Sequence, residues 1–120
     1  MKLAIAVVAA AMVMRGSPAA AQQMDCKVEN TLTAIAGAAP VKLLFQNSST
    51  EPRRLYWIDY NGQRKFYGVV APGKDRQQQS SVGNHWVVTD DTDKCLAIFA
   101  VSPAVTTFDV GFADAPPTMN

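Results

Sequence analysis

Residues 55–86 read LYWIDYNGQRKFYGVVAPGKDRQQQSSVGNHW, and this stretch decides the fold of the chain. Two runs rich in aromatic and β-branched residues flank Asn61-Gly62, a pair that strongly favours the tight turn of a β-hairpin. The stretch also contains both tryptophans, all three tyrosines and the only histidine of the protein. The side chains best suited to specific recognition are therefore concentrated in one short part of the sequence.

Short strand-like segments continue on both sides of this hairpin. Their residues alternate in polarity or are uniformly apolar, and turn residues such as Pro72-Gly73 separate them. Strands are predicted at residues 41–46, 53–60, 63–70, 75–82, 85–89, 96–101 and 106–112. Short strands with turn signals about every eight to twelve residues predict an all-β fold, a single antiparallel β-sandwich of about seven strands.

Residues 1–21 have the pattern of a signal peptide. Lys2 gives a positive start, Leu3–Met14 is an apolar run too short to span a bilayer, and Ala19-Ala20-Ala21 fits a small-residue cleavage site. The sequence therefore predicts a secreted or periplasmic protein with no membrane association after cleavage. Residues 22–120 are long enough for one core and not two, so they are expected to form a single β-sandwich domain.

The charge balance argues against a nucleic acid partner. The full chain has a formal net charge of +1, and removal of Lys2 and Arg15 with the signal peptide leaves nine basic and ten acidic residues. The sequence contains no stripe of basic residues, which proteins that bind nucleic acid or an anionic membrane surface usually have.

Cys26 and Cys95 are the only cysteines, so in an exported chain they can pair only with each other. The predicted disulfide closes a loop of about 70 residues, for which the chain-entropy estimate is roughly 4 kcal/mol of stabilisation. No CxxC motif or neighbouring ligand set indicates a redox or metal pair instead.

An enzymatic function is not indicated. A hydrolytic triad would need His85 with Ser80 or Ser81 as the nucleophile, and no nucleophile-elbow pattern surrounds either serine. The acidic loop 90–94 lacks the glycine and the terminal glutamate of a calcium-binding loop and is expected to be a solvated turn. The sequence therefore predicts no catalytic residue, no metal and no cofactor.

Three local patterns allow further interpretations. Residues 22–40 are compatible with a helical turn or with an extended segment. Asn47-Ser48-Ser49 matches a glycosylation sequon, which is a common chance match. Arg53-Arg54 and Arg64-Lys65 are interpreted as surface charges rather than as an anion site.

Residues 43–87 resemble the β-domain of the von Hippel–Lindau protein, aligned without a gap over roughly half of the predicted mature chain. The landmarks that carry the resemblance are Phe45, Asn47, Ser49, Trp57, Gly62, Tyr67, Pro72-Gly73, Ser80, Gly83, Trp86 and Asp90. The resemblance implies a family-like core over residues 41–101, and it favours an extended segment before Pro40. The helical domain that recruits ubiquitin-ligase subunits in that family would follow the β-domain, and the chain ends at Asn120, so ligase recruitment is not expected.

The resemblance also implies a binding site. In the family, aromatic rings enclose a hydroxylated proline of an extended peptide, and a serine and a histidine bind its hydroxyl group. The matching positions in this chain are Trp57, Tyr67, Ser80, Asn84 and Trp86. The rings would supply contact area, and the polar groups would fix the orientation of the ligand.

One of these positions departs from the family pattern, because Asn84 occupies the place of the histidine. His85 lies one residue later, and neighbouring residues of a strand point to opposite faces, so His85 should point away from Trp86. An asparagine amide can still bind a hydroxyl group, but it lacks the imidazole ring, which leaves hydroxyproline specificity open.

The predicted function is non-enzymatic recognition of a peptide or protein. The competing interpretations are a carbohydrate- or small-ligand-binding sandwich and a purely structural domain. Rings that converge around a concavity containing Ser80 favour a hydroxylated ring, coplanar exposed rings favour a sugar, and buried rings favour structure.

Overall fold

Two facing β-sheets form the part of the chain that the computed structural model describes, residues 23–111. Their strands are β1 (Gln23–Met24), β2 (Pro40–Gln46), β3 (Arg53–Ile58), β4 (Arg64–Val70), β5 (Asp75–Ser81), β6 (His85–Thr89), β7 (Cys95–Ala100) and β8 (Thr107–Asp109). The predicted all-β sandwich is confirmed, with the two-residue β1 as an additional strand. The predicted signal segment 1–21 lies outside the described residues.

The larger sheet has the strand order β1-β7-β6-β3-β4, and the smaller sheet has the order β5-β2-β8. Every pair is antiparallel except β2–β8, which is parallel. The purely antiparallel arrangement expected from the sequence is therefore wrong at this one edge. There the chain leaves β7, crosses to the smaller sheet and enters β8 in the direction of β2.

The core lies between the sheets because successive strand residues point to opposite faces. Leu43 and Phe45 of β2 face Leu55, Trp86 and neighbouring apolar residues of the larger sheet, and all of these are buried. Ring contacts join the two sheets, with centroids 5.9 Å apart for Phe45 and Trp86 and 4.6 Å apart for Phe99 and Phe108.

The outer face of the larger sheet carries a second apolar cluster, covered by the N-terminal segment. A 3-10 helix (Cys26–Thr31) begins at Asp25, whose carboxylate accepts a hydrogen bond from the Lys27 amide, and Val28 and Leu32 pack on the cluster. The backbone is extended again at Leu32. The two alternatives for residues 22–40 therefore both occur, one after the other.

The predicted disulfide between Cys26 and Cys95 is confirmed, with a Cα–Cα distance of 6.0 Å. It attaches the start of the 3-10 helix to β7. Within residues 23–111, no helix is long and apolar enough to cross a membrane.

The charged side chains of the β3–β4 hairpin are not all solvated. Arg53 is only 1% exposed and its Nε donates to the Val110 carbonyl at 2.9 Å, so its interpretation as a surface charge is wrong. Arg64 forms a bidentate pair with Glu29 of the 3-10 helix, at 2.6 and 2.9 Å. This pair fixes the helix to the hairpin.

The acidic turn after β6 is also more than a solvated loop. Asp93 accepts hydrogen bonds from the Tyr56 hydroxyl and from Arg54. The bond from Tyr56, followed by the charge of Arg54, lowers the pKa of the Asp93 carboxyl group below its ordinary value. Asp90 caps the same turn by accepting from the amides of Thr92 and Lys94.

The side chain of Asn47 joins three segments of the chain. Its Nδ2 donates to the carbonyls of Glu51 and Val70 at 2.8 and 2.9 Å, and its Oδ1 accepts from the amide and the hydroxyl of Ser49. Its side chain is 1% exposed. The sequon match is therefore structural, because the nitrogen that would carry a glycan is buried and already bonded.

We expect Asn47→Ala to lower the free energy of unfolding by roughly 2 to 4 kcal/mol, because it leaves several buried polar groups without partners. Ser48→Ala is the matched control, since Ser48 is exposed and adjacent. Urea unfolding of both variants measures the difference. Equal stability of the two variants would contradict the bracing role of Asn47.

Candidate functional site

An open cavity of about 200 Å³ is lined by residues of β3, β4 and β6 of the larger sheet and by the last residues of β5, an edge strand of the smaller sheet. We call it the aromatic cavity. Its lining residues are Trp57, Tyr60, Tyr67, Gln79, Ser80, Ser81, Asn84 and Trp86. The structure thus brings all five sequence-predicted site residues to one cavity and adds Tyr60, Gln79 and Ser81 to them. Their role in binding stays a prediction.

Strand register places the tryptophans together. Trp57 of β3 is the direct partner of Trp86 of β6, so the two side chains share the inner face of the larger sheet. On its other side Trp57 pairs with Lys65, so Tyr67 is a near neighbour of Trp57 across the hairpin rather than its direct partner.

Tyr67 reaches the aromatic cavity through a β-bulge. Leu55 pairs with Gly68 and Tyr56 pairs with Phe66, which leaves Tyr67 as the extra residue of β4. Strict alternation would put Tyr67 and Val70, three residues apart, on opposite faces. The bulge removes this conflict, because Tyr67 lines the aromatic cavity while Val70 stays in the core.

The rings meet edge to face. The Tyr67 ring lies 5.1 Å from Trp86 and 6.2 Å from Trp57, with interplanar angles of 76° and 78°. Tyr60 continues the series, 5.3 Å from Trp57 at 84°. These nearly perpendicular rings form the walls of a concavity rather than a flat platform.

Tyr60 was missed because the sequence pattern extends the strand to residue 60. The structure ends β3 at Ile58, and the Asp59 carboxylate then accepts from the amides of Asn61 and Gln63, each at 2.9 Å. Gly62, with a φ of 78°, completes this turn. The turn brings the Tyr60 ring back onto Trp57. The Asp-x-x-Gly spacing was the available signal.

Trp86 contributes to the aromatic cavity mainly through Ser80. Its side chain is 1% exposed, and its indole Nε1 donates to the Ser80 Oγ at 2.9 Å. A buried indole N–H needs an acceptor, so this bond holds the Ser80 hydroxyl at the wall. The Ser80 oxygen keeps its own proton and one lone pair for a further hydrogen bond.

Asn84 lines the aromatic cavity with an amide that already has partners. Its Oδ1 accepts from the Ile35 amide at 3.2 Å, and its Nδ2 donates to the Ser81 carbonyl at 3.3 Å. Asn84 is buried, and it ties the N-terminal segment to the turn before β6. One N–H and one lone pair of the amide are not used by these two bonds.

His85 is absent from the lining of the aromatic cavity, as strand alternation predicts. Its Nδ1 is buried and has no hydrogen-bond partner within residues 23–111. Burial lowers the pKa of the His85 imidazole below its ordinary value of 6.5.

The chemistry of the aromatic cavity is neutral. None of its eight lining residues carries a formal charge at neutral pH. In the described part of the chain, no three histidine, cysteine, aspartate or glutamate side chains are grouped so that they could hold a metal ion. The arrangement can enclose a small ring and form hydrogen bonds with it.

Comparison with known protein families gives one match. The VHL beta domain matches residues 32–101, which is more than half of the 120-residue chain and includes every residue that lines the aromatic cavity. No curated protein matches the sequence.

We expect the stability of the wild-type protein to fall more steeply than that of His85→Phe between about pH 7.5 and pH 5. The unfolded state takes up a proton as the pH falls through the ordinary histidine pKa, whereas the folded state resists protonation because its pKa is lowered. Unfolding midpoints across this range measure the difference. Parallel pH profiles would contradict a neutral, partly buried imidazole.

Proposed function

Because the chain belongs to the VHL beta domain family, we propose that it is a non-enzymatic recognition module that binds an extended peptide at the aromatic cavity. One observation carries the proposal. Rings from separate strands and a turn line the same cavity as the Ser80 hydroxyl group, which Trp86 holds in place. Burial of the Trp86 indole requires this hydroxyl group as an acceptor, but packing alone does not account for the exposed Tyr60 and Tyr67 rings beside it.

The size of the aromatic cavity supports a single small ring as the group that enters it. Its volume of about 200 Å³ is below the range of roughly 300 to 1,000 Å³ that is typical of sites for drug-sized ligands. A proline side chain is compact, rigid and apolar on its faces, so it suits walls made of Trp57 and Tyr67. The neutral lining disfavours a charged side chain.

The polar groups support a hydroxylated ring. The Ser80 hydroxyl accepts from Trp86 and can still donate to a ligand oxygen, and its second lone pair can accept in return. The amide of Asn84 can form further hydrogen bonds, but its two bonds to the protein fix its position. We therefore propose that Ser80 forms the main hydrogen bond with the ligand hydroxyl group and that Asn84 contributes less to its binding.

The strand edges support an extended backbone for the ligand. Both β4 and β5 are terminal strands of their sheets and border the aromatic cavity. The backbone groups along such edges are the usual partners of a peptide that binds as an added strand.

The competing functions receive less support. A sugar-binding platform needs an exposed flat ring face, and the cavity rings stand nearly perpendicular to one another. A purely structural role fits Trp86, which is buried, but it does not account for Tyr60 and Tyr67, which are 58% and 38% exposed.

We also propose that the protein acts outside the reducing cytosol. The disulfide between Cys26 and Cys95 supports an oxidising compartment, such as the periplasm or the extracellular space.

Ser80→Ala tests the proposal with matched peptides that contain proline or 4-hydroxyproline at one position. We expect the variant to lose about 1 kcal/mol of affinity for the hydroxyproline peptide, the value of one neutral hydrogen bond, and little for the proline peptide. Isothermal titration calorimetry measures both affinities. Gln77→Ala is the control, since Gln77 is exposed on the same strand.

The results of this experiment distinguish a wrong role for Ser80 from a wrong proposed function. An unchanged preference for hydroxyproline in Ser80→Ala would refute the role of Ser80. Absence of binding by the folded wild-type protein to any of a varied set of proline and hydroxyproline peptides would refute the proposed function.

A further inference from the structure

The position of the Tyr67 ring depends on backbone that strand pairing does not hold. Tyr67 is the extra residue of the bulge in β4, so it has no partner in β3. β4 is also the edge of its sheet, so within residues 23–111 no strand lies on its other side. A bulged residue on an edge strand needs another contact to keep one conformation.

Arg76 of β5 provides this contact. It is the direct partner of Phe45, which is fully buried, so the Arg76 side chain also starts toward the inside of the sandwich. From there it reaches across to the larger sheet, and its Nη2 donates to the Tyr67 carbonyl at 2.8 Å. The bond links the edge strands of the two sheets directly at the bulge.

Gly68 has no side chain, and this contact requires the space that a side chain would fill. A Cβ atom at Gly68 would lie 2.7 Å from the Cζ of Arg76 and 2.9 Å from both of its terminal nitrogens. The φ of Gly68 is 151°, a value that residues with a side chain rarely adopt. The guanidinium group therefore lies directly against the backbone of Gly68, in space that only glycine leaves free.

On the basis of the proposed function, we infer that Arg76 is a positioning residue for the aromatic cavity. Its guanidinium group fixes the bulge at Tyr67 and Gly68 and thereby presents the Tyr67 ring to Trp57 and Trp86. Arg76 does not line the aromatic cavity, so it acts on the ligand only through Tyr67.

Two substitutions of Arg76 test this role in the free protein. Arg76→Met keeps an unbranched, flexible side chain but removes all its donors, and Arg76→Lys keeps a charge and one flexible donor group. The ring-proton resonances of Tyr67 report the ring position by NMR, since its ring centroid lies 5.1 Å from that of the Trp86 indole. Gln77→Met is the control, on the exposed side of the same strand.

We expect Arg76→Met to move the Tyr67 ring resonances toward those of a free tyrosine, while core resonances such as those of Val88 stay in place. Affinity for the best-binding peptide should fall several-fold, with Arg76→Lys intermediate and Gln77→Met unchanged. Gly68→Ala should move the same resonances, because its Cβ displaces the guanidinium group.

Unchanged Tyr67 resonances in Arg76→Met would overturn the inference, as would moved resonances with undiminished peptide affinity. If Arg76→Met does not fold, the same criteria apply to Arg76→Lys. If the wild-type protein binds no peptide, the proposed function is wrong, whereas the ring resonances still decide whether Arg76 positions Tyr67.

Discussion

The hydrogen bond between the Trp86 indole and the Ser80 hydroxyl is the interaction on which the candidate site depends. The Trp86 ring fills the space between the sheets and contacts Phe45 of the smaller sheet. Burying this ring without an acceptor for its N–H costs free energy. Ser80 of the edge strand β5 supplies that acceptor. The same hydrogen bond therefore stabilises the packing of the core and places the Ser80 hydroxyl group at the aromatic cavity.

The outer face of the larger sheet is braced by the N-terminal segment. The disulfide fixes this segment at Cys26, and Glu29 binds Arg64 of the hairpin. Further along, the amide of Ala34 donates to the Asp59 carbonyl, and the amide of Ile35 donates to Asn84. Asp59 and Asn84 belong to the two turns that border the aromatic cavity, so a segment on the far face also stabilises the site.

Asn84 illustrates how the site differs from the family pattern that it resembles. The histidine expected at this position would offer its ring to a ligand, whereas the Asn84 amide is bound to Ile35 and Ser81. The aromatic walls are retained, and in the binding mode proposed above the main hydrogen bond to the ligand comes from Ser80. Asn84 also attaches the N-terminal segment beside the aromatic cavity, because its Oδ1 accepts from the Ile35 amide.

The sequence by itself determined the features that depend on local periodicity and on simple pairing. Alternation and turn residues predicted the strands, Asn61-Gly62 predicted the hairpin, and two cysteines had only one possible partner each. The resemblance then led to five residues that do meet at one cavity.

Only the tertiary structure decided the features that depend on where strands end and which side chains they meet. The bulge at Tyr67 breaks the period of two, and its presence reflects the need to keep Val70 in the core. Tyr60 joins the aromatic cavity through a turn, and Arg53 is buried because the Val110 carbonyl is there to receive it. The turn at Tyr60 has a local signal in the Asp59-x-x-Gly62 spacing, whereas the contact of Arg53 joins residues far apart in the chain, so no local pattern in the sequence encodes it.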